Sequence, residues 1–440
     1  MSTGQVPVTR IRTTIALAGA LTGAVYGGLC ATALAAPRGA VAQVMTVSGA
    51  ALAGVVIAYL SARFVGRRAQ GVAAALLVVA GGVMTSVVGA PVPLGDSDLR
   101  GAWLALLGPG LAGLGSGVLT IVAPLLAREL AANSRHQVAG STGFGLPLGL
   151  GSIQLVAVAA VAVEVPIERL TWPAVSVLAL VVVVLLAMLP ESPVWLAIHR
   201  TMERSYASMV RLFGTLEASI ELDWVLMARD MASEERRLCW RDLSLPGMKR
   251  TVVAGAVLAV VREAPLGLAA LVLIPAVVSE LATRRAATIA LLILGLCAVV
   301  IGVVTALRHA HGFGFARLIA GLALALVGLA LATLAANLSG AAALSLALHG
   351  TIFLGIAQFG LVTPAARGSV EPLVPPWLVR AHTTSTHVLA ALARAICLTA
   401  PAALLATRGP RATAMTATLV EIIVLIALTA ALPQALHRTA

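Results

Sequence analysis

The chain has 440 residues, 60% of them hydrophobic and only 11% charged, with a net charge of +12. An ordinary globular chain is about 25% charged, so this composition excludes a soluble enzyme, a nucleic-acid-binding domain and a disordered scaffold. Aromatic residues make up 4%, and no strand-like alternation between aromatic girdles is present, which excludes an outer-membrane barrel.

A bundle of membrane-spanning helices remains. A span needs about 20 mostly apolar residues. In chain order the sequence predicts spans over roughly 13–36, 40–62, 70–90, 101–127, 142–165 and 171–189. A second set follows over roughly 251–278, 286–307, 316–336, 341–364, 383–406 and 412–432. Between the sets lies the one long polar stretch, Pro190 to Arg250. From Met202 to Arg241 it is charged and roughly amphipathic, as in Met209-Leu212-Phe213-Leu216. The layout divides the chain into a six-helix half over 1–192, a linker over 193–250 and a second six-helix half over 251–440. Arg10 and Arg12 precede an apolar run that exceeds a signal-peptide core, so the first span reads as retained.

Basic residues set the topology. With both termini in the cytoplasm, the inner loops hold 21 Lys and Arg and the outer loops 7. This positive-inside bias points to a multi-pass protein of the cell inner membrane. Gly19, Gly23 and Gly27, Gly113 and Gly117, and Gly145 and Gly149 repeat at four-residue spacing and predict close helix contacts. The single Lys, Lys249, stands in no phosphate loop. The four Cys form no Cys-x-x-Cys pair, so neither a metal site nor a disulfide framework is expected; no cofactor is expected either.

Local motifs narrow the class. Pro190-Glu191-Ser192-Pro193-Val194-Trp195-Leu196 closes span six and resembles the Pro-Glu-Ser-Pro-Arg-Trp-Leu signature of the sugar porter family, with Val194 for Arg. Arg63-Phe64-Val65-Gly66-Arg67-Arg68 resembles the Asp-Arg-x-Gly-Arg-Arg loop of the major facilitator superfamily, with Ala62 for Asp and one residue inserted. Pro124 and Glu129 keep the spacing of the family's Pro-x-Tyr-x-x-Glu, with Leu126 for Tyr. Pro275 and Leu432-Pro433-Gln434 fall where the family has further signatures. The resemblance implies an all-α major facilitator fold of twelve transmembrane helices, alternating access and a small-molecule solute, with a proton as coupling ion.

The departures lie at the family's sugar-binding positions. Arg262 and Glu263 stand for its Gln-Gln pair, Leu268 for an Asn, Val272 and Leu273 for Tyr-Tyr, Ala366 for Trp and Phe144 for Gln. Val25 replaces the Asp of proton-coupled members and Pro109 replaces an Arg. A hexose needs many directional hydrogen bonds, so the expected solute is not a sugar.

A charge at the bilayer centre is expensive and usually functional. Arg262, Glu263 and Arg394 are therefore candidates for a substrate or proton pathway, with interhelical ion pairing as the structural alternative. His349, Gln358 and Gln154 are uncharged candidates on spans ten and five. Arg63, Arg67, Arg68, Glu129, Arg135, Glu191, Glu371 and Arg380 sit at helix ends facing the cytoplasm. By resemblance they form an inner gate of salt bridges between the halves; positive-inside topology alone accounts for the Arg residues but not for the three Glu. Two other functions stay open: a transport-inactive membrane subunit that scaffolds a membrane protein partner, and an exporter of amphipathic compounds.

Overall fold

A computed structural model describes residues 8–34, 40–88, 99–130, 141–235, 315–335, 337–338 and 340–362. It adds shorter helical stretches between 292 and 304 and between 388 and 399, and scattered positions at 257 and between 407 and 423. Among the described residues there is no β-strand. The first six spans are helices α1 (Val8–Leu34), α2 (Ala40–Ser61), α3 (Arg67–Val88), α4 (Leu99–Leu130), α5 (Ser141–Ala162) and α6 (Ile167–Met188). The linker folds into α7 (Pro193–His199), α8 (Met202–Phe213) and α9 (Thr215–Glu235). Spans nine and ten are α10 (Phe315–Ala335) and α11 (Gly340–Gly355), and α11 continues as a π-helix over Ile356–Val362. Spans seven, eight, eleven and twelve lie largely outside the described residues.

Five of these helices are long and apolar enough to cross a membrane, and shorter apolar stretches lie over Thr14–Val25, Pro147–Ala162 and Ser345–Gln358. Large apolar side chains such as Leu60, Val87, Val177 and Leu334 are exposed on the outside of the bundle, as lipid-facing helices require. Lipid tails are as apolar as Leu, so packing rather than water exclusion holds such helices together.

Glycine supplies that packing. A Cβ on Gly113 would come within 2.8 Å of the Val47 Cα, and one on Gly117 equally close to the Ala51 Cα. On α5, Gly145 and Gly149 face the carbonyls of Ala20 and Ala24 so closely that a methyl would overlap them. Two of the glycine rows thus set α2 on α4 and α1 on α5. α3 packs between α4 and α6, and α1 reaches α6 as well. The core they enclose includes Val25, Leu29, Leu119, Leu126 and Trp172.

Hydroxyls inside the helices bond their own backbone, as Thr22 does to the Ala18 carbonyl at 2.8 Å and Thr85 to that of Gly81 at 2.8 Å. Among the described residues four prolines stand inside helices: Pro109 and Pro124 in α4, Pro147 in α5 and Pro173 in α6. Each withholds one donor from its own helix, which neighbouring helices make tolerable at membrane depth.

Alternation of direction puts the α2–α3 turn, the end of α4, the start of α5 and the α6–α7 junction on one face of the bundle, called here the junction face. The two sets of spans also touch one another. The π-helix Ile356–Val362 touches α5, while Ile301, Val388 and Ala391 pack against the core of the N-terminal half.

Candidate functional site

Among the described residues the junction face carries a dense polar assembly. Ser192 ends the extended turn after α6 and caps α7: its Oγ accepts from the Trp195 N–H at 3.1 Å, with Pro193 at the first helical position. Ser and Pro at these positions are a helix-start pair, one satisfying an orphan N–H and the other lacking one. The same hydroxyl donates a short hydrogen bond to Glu129 Oε2 at the end of α4. Trp195 is buried and sends its Nε1–H to the Ala62 carbonyl at 2.7 Å. Arg200 lies over its ring at 5.6 Å, and His199 stacks beside it at 5.3 Å.

Glu191 binds the α2–α3 turn from the other side. Its Oε1 accepts from the Arg68 N–H at 3.0 Å and the Ser192 N–H at 3.1 Å. Arg68 Nη1 donates to the Leu189 carbonyl at 3.1 Å. Gly66 is buried beneath the carboxylate. Ser208 of α8 closes the assembly by donating to the Glu191 carbonyl at 2.8 Å. Arg67 stands 4.0 Å from Glu129, both side chains 13% exposed. Gln70, buried one turn into α3, donates to the Ala58 carbonyl at 3.1 Å and to Ser61 Oγ at 2.8 Å.

Of the eight junction charges expected from sequence, the structure brings together Arg67, Arg68, Glu129 and Glu191. Arg63 is exposed nearby, and Arg135, Glu371 and Arg380 lie outside the described residues. The sequence reading places these pairs between the halves. The pairs seen among the described residues, Glu191 with the Arg68 N–H and Glu129 with Arg67, lie within the N-terminal half, and the C-terminal members of the expected gate lie outside the described residues. Ala62 and Val194, two replaced signature residues, have structural work of another kind. The Ala62 carbonyl takes the Trp195 N–H, and Val194 is buried with Ala197, Met209, Ala218 and Val225 in the core of α7, α8 and α9.

The intramembrane candidates divide. Gln358 is fully buried in the π-helix, and π segments inside helices occur often at functional positions. Gln154 is buried on α5 with no hydrogen-bond partner for its Oε1. His349 is exposed, its Nδ1 2.7 Å from the Ser345 carbonyl one turn back. Arg262, Glu263 and Arg394 lie outside the described residues. Val25 and Pro109 are both buried. Sequence reasoning missed Gln43 and Gln70, both fully or nearly fully buried; the available signal was a lone amide inside or beside an apolar run.

Among the described residues no group of three His, Cys, Asp or Glu could hold a metal ion. No curated protein sequence matches the chain. Solved structures do. The proton:xylose symporter XylE bound to 6-bromo-6-deoxy-D-glucose is 18% identical, with a TM-score of 0.69, over 96% of this chain and 95% of that one. The xylose transporter XylE from E. coli in a partially occluded inward-open conformation is 15% identical, with a TM-score of 0.68, over 96% and 98%. A bacterial homologue of the human drug peptide transporters PepT1 and PepT2 is 12% identical, with a TM-score of 0.60, over 99% and 100%. These likenesses establish the major facilitator fold for a multi-pass membrane chain. The sequence model described as "Sugar (and other) transporter" matches residues 33–365, well over half the chain, and spans the Glu191–Ser192–Trp195 assembly: the chain belongs to the sugar (and other) transporter family.

Proposed function

We propose that the chain is a secondary transporter that moves a small solute other than a common sugar through a central site by alternating access. The observation that supports this reading is the contact between the two halves, where a π-helix bearing buried Gln358 touches α5. In this reading residues 1–192 and 251–440 are the two rocking halves and 193–250 the linker between them. The Glu191 and Glu129 contacts stiffen the junction end of one half, against which the other closes. Both termini face the cytoplasm, and the chain sits in the inner membrane.

The non-sugar assignment rests on the replaced ligand positions, among them Arg262, Glu263, Val272, Leu273 and Ala366. Glu263 is the carboxylate suited to carry a proton, and Arg262 and Arg394 are cations suited to an anionic group on the solute. Likeness to a proton:xylose symporter supports proton coupling.

Reconstituted protein tests the reading. A thermal-shift screen over small anions, amino acids and sugars should find a stabilising solute; a ligand at 100 times its Kd stabilises by about 2.7 kcal/mol. That solute should enter proteoliposomes saturably, whereas glucose, xylose and arabinose at millimolar concentration should not. Saturable sugar uptake would overturn the non-sugar assignment. A protein that exchanges no solute in either direction would favour the membrane-subunit reading, to which the replaced signature residues Ala62 and Val194 lend support.

A further inference from the structure

Gln43 stands near the start of α2 in the apolar run Ala40-Val41-Ala42-Gln43-Val44-Met45. Its side chain is fully buried, and neither its Oε1 nor its Nε2 has a hydrogen-bond partner. An unmatched amide in an apolar interior is costly, and Leu would fill the same place without that cost. The amide has no partner in this arrangement of the helices and is available to bond in another.

The geometry of α2 on α4 shows what it faces. The two helices run in the same direction. Gly110 lies against Thr46, whose Cγ2 would be 3.6 Å from a Cβ there, Gly113 lies against Val47, and Gly117 against Ala51. One turn back along both helices, Gln43 comes opposite Pro109. Proline has no N–H to give to the carbonyl four residues earlier, so the buried Ala105 carbonyl lacks its ordinary helical donor. An amide with no acceptor and a carbonyl robbed of its donor thus sit at one level between two spans. The glycine positions of α4 are where α2 lies closest to it.

We infer that Gln43 is the positioning residue for the Pro109 break: its amide donates to the Ala105 carbonyl in the conformation alternative to the one described, and releases it here. Gln43 thereby favours the state in which the halves part on the junction face. This inference rests on the alternating-access reading, and the test separates the two. Spin labels on Phe64 and Ala316, both exposed and, in the twelve-span reading, on the junction side of opposite halves, report their separation in the full chain in nanodiscs by double electron–electron resonance.

Two distance populations are expected, and Gln43→Leu should raise the ratio of short to long by about threefold, the scale of one net hydrogen bond. Gln43→Asn keeps the amide but shortens its reach, and should shift the ratio the same way. Pro109→Ala returns a donor to the Ala105 carbonyl, so in that background Gln43→Leu should leave the ratio unchanged. Two populations whose ratio ignores Gln43→Leu and Gln43→Asn would overturn the inference and leave alternating access standing. An equal shift in the Pro109→Ala background would overturn it too, since the amide would then act elsewhere. A single population under all conditions would overturn the alternating-access reading and this inference together.

Discussion

Glu191 lays its carboxylate over Gly66 so closely that a methyl group at that position would overlap Oε2. The glycine is there for space, since Gly66 is not among the described residues with a left-handed backbone. Gly66→Ala should therefore push the carboxylate off the Arg68 and Ser192 N–H groups. The expected cost is about 1–3 kcal/mol, the scale of overpacking a filled site, read as a lowered melting temperature of the detergent-purified protein. Removing the obstacle should remove most of that cost. In a Glu191→Ala background the Gly66→Ala change should be close to neutral, and additive losses would show that the crowding has another source.

Ser192 does two jobs with one oxygen, accepting from Trp195 N–H and donating to Glu129. Ser192→Ala removes a buried cap and a hydrogen bond to the Glu129 carboxylate. A lost cap costs about 0.5–2 kcal/mol, and the lost bond to the carboxylate adds to it. Thr201 caps α8 in an exposed setting with a longer bond of 3.4 Å to Arg204 N–H. Thr201→Ala should thus cost less than Ser192→Ala in the same unfolding assay. The reverse order would count against the buried Ser192–Glu129 bond.

Much of the fold was legible in the sequence because the membrane imposes a length and a composition on each span. α1 to α6 begin and end within a few residues of the apolar runs, and the row Gly145 and Gly149 marks a real backbone contact with Ala20 and Ala24. The amphipathic segment Met209-Leu212-Phe213 became α8, with Met209 and Leu212 buried. The junction site was legible in its residues but not in its pairing. A charge at a helix end does not say which neighbour it turns toward, and Glu191 turned to the backbone of Arg68. The Trp195–Ala62 bond was hidden because its acceptor is a backbone carbonyl, which any residue supplies. The π-helix at Ile356–Val362 left no mark, since a single widened turn needs no change of hydropathy.

The glycine rows carry a prediction with an internal control. Gly149→Val places a branched side chain on the Ala24 carbonyl, where only a hydrogen fits. Backbone cannot yield as a flexible side chain can, so α1 and α5 should separate. The variant should be recovered in low yield or aggregate on size-exclusion chromatography. Gly49 on α2 has open space where its Cβ would be. Gly49→Ala should fold normally and melt no lower, since alanine is the better helix former. Equal behaviour of the two variants would show that the close approach of α1 and α5 is not maintained.

Arg67 and Glu129 stand at the outer limit of an ion pair, 4.0 Å apart, each largely buried. Arg67 Nε and Nη1 have no hydrogen-bond partner, so the guanidinium depends on the nearby carboxylate to balance its charge. Glu129 has a second anchor in Ser192. The two residues are therefore unequal partners. Glu129→Gln leaves the guanidinium buried without its counter-charge and weakens the Ser192 bond. Breaking a fully buried pair from one side costs about 3–5 kcal/mol; here the remaining exposure and the long separation reduce the expected loss to about 1–3 kcal/mol. Arg67→Met removes the cation and leaves Glu129 still bonded to Ser192, so it should cost less. The double variant Arg67→Met with Glu129→Gln removes both charges and should be more stable than Glu129→Gln alone. Chemical or thermal unfolding of the three variants checks the order. A double variant less stable than either single change would mean that the charges act on separate partners rather than on each other.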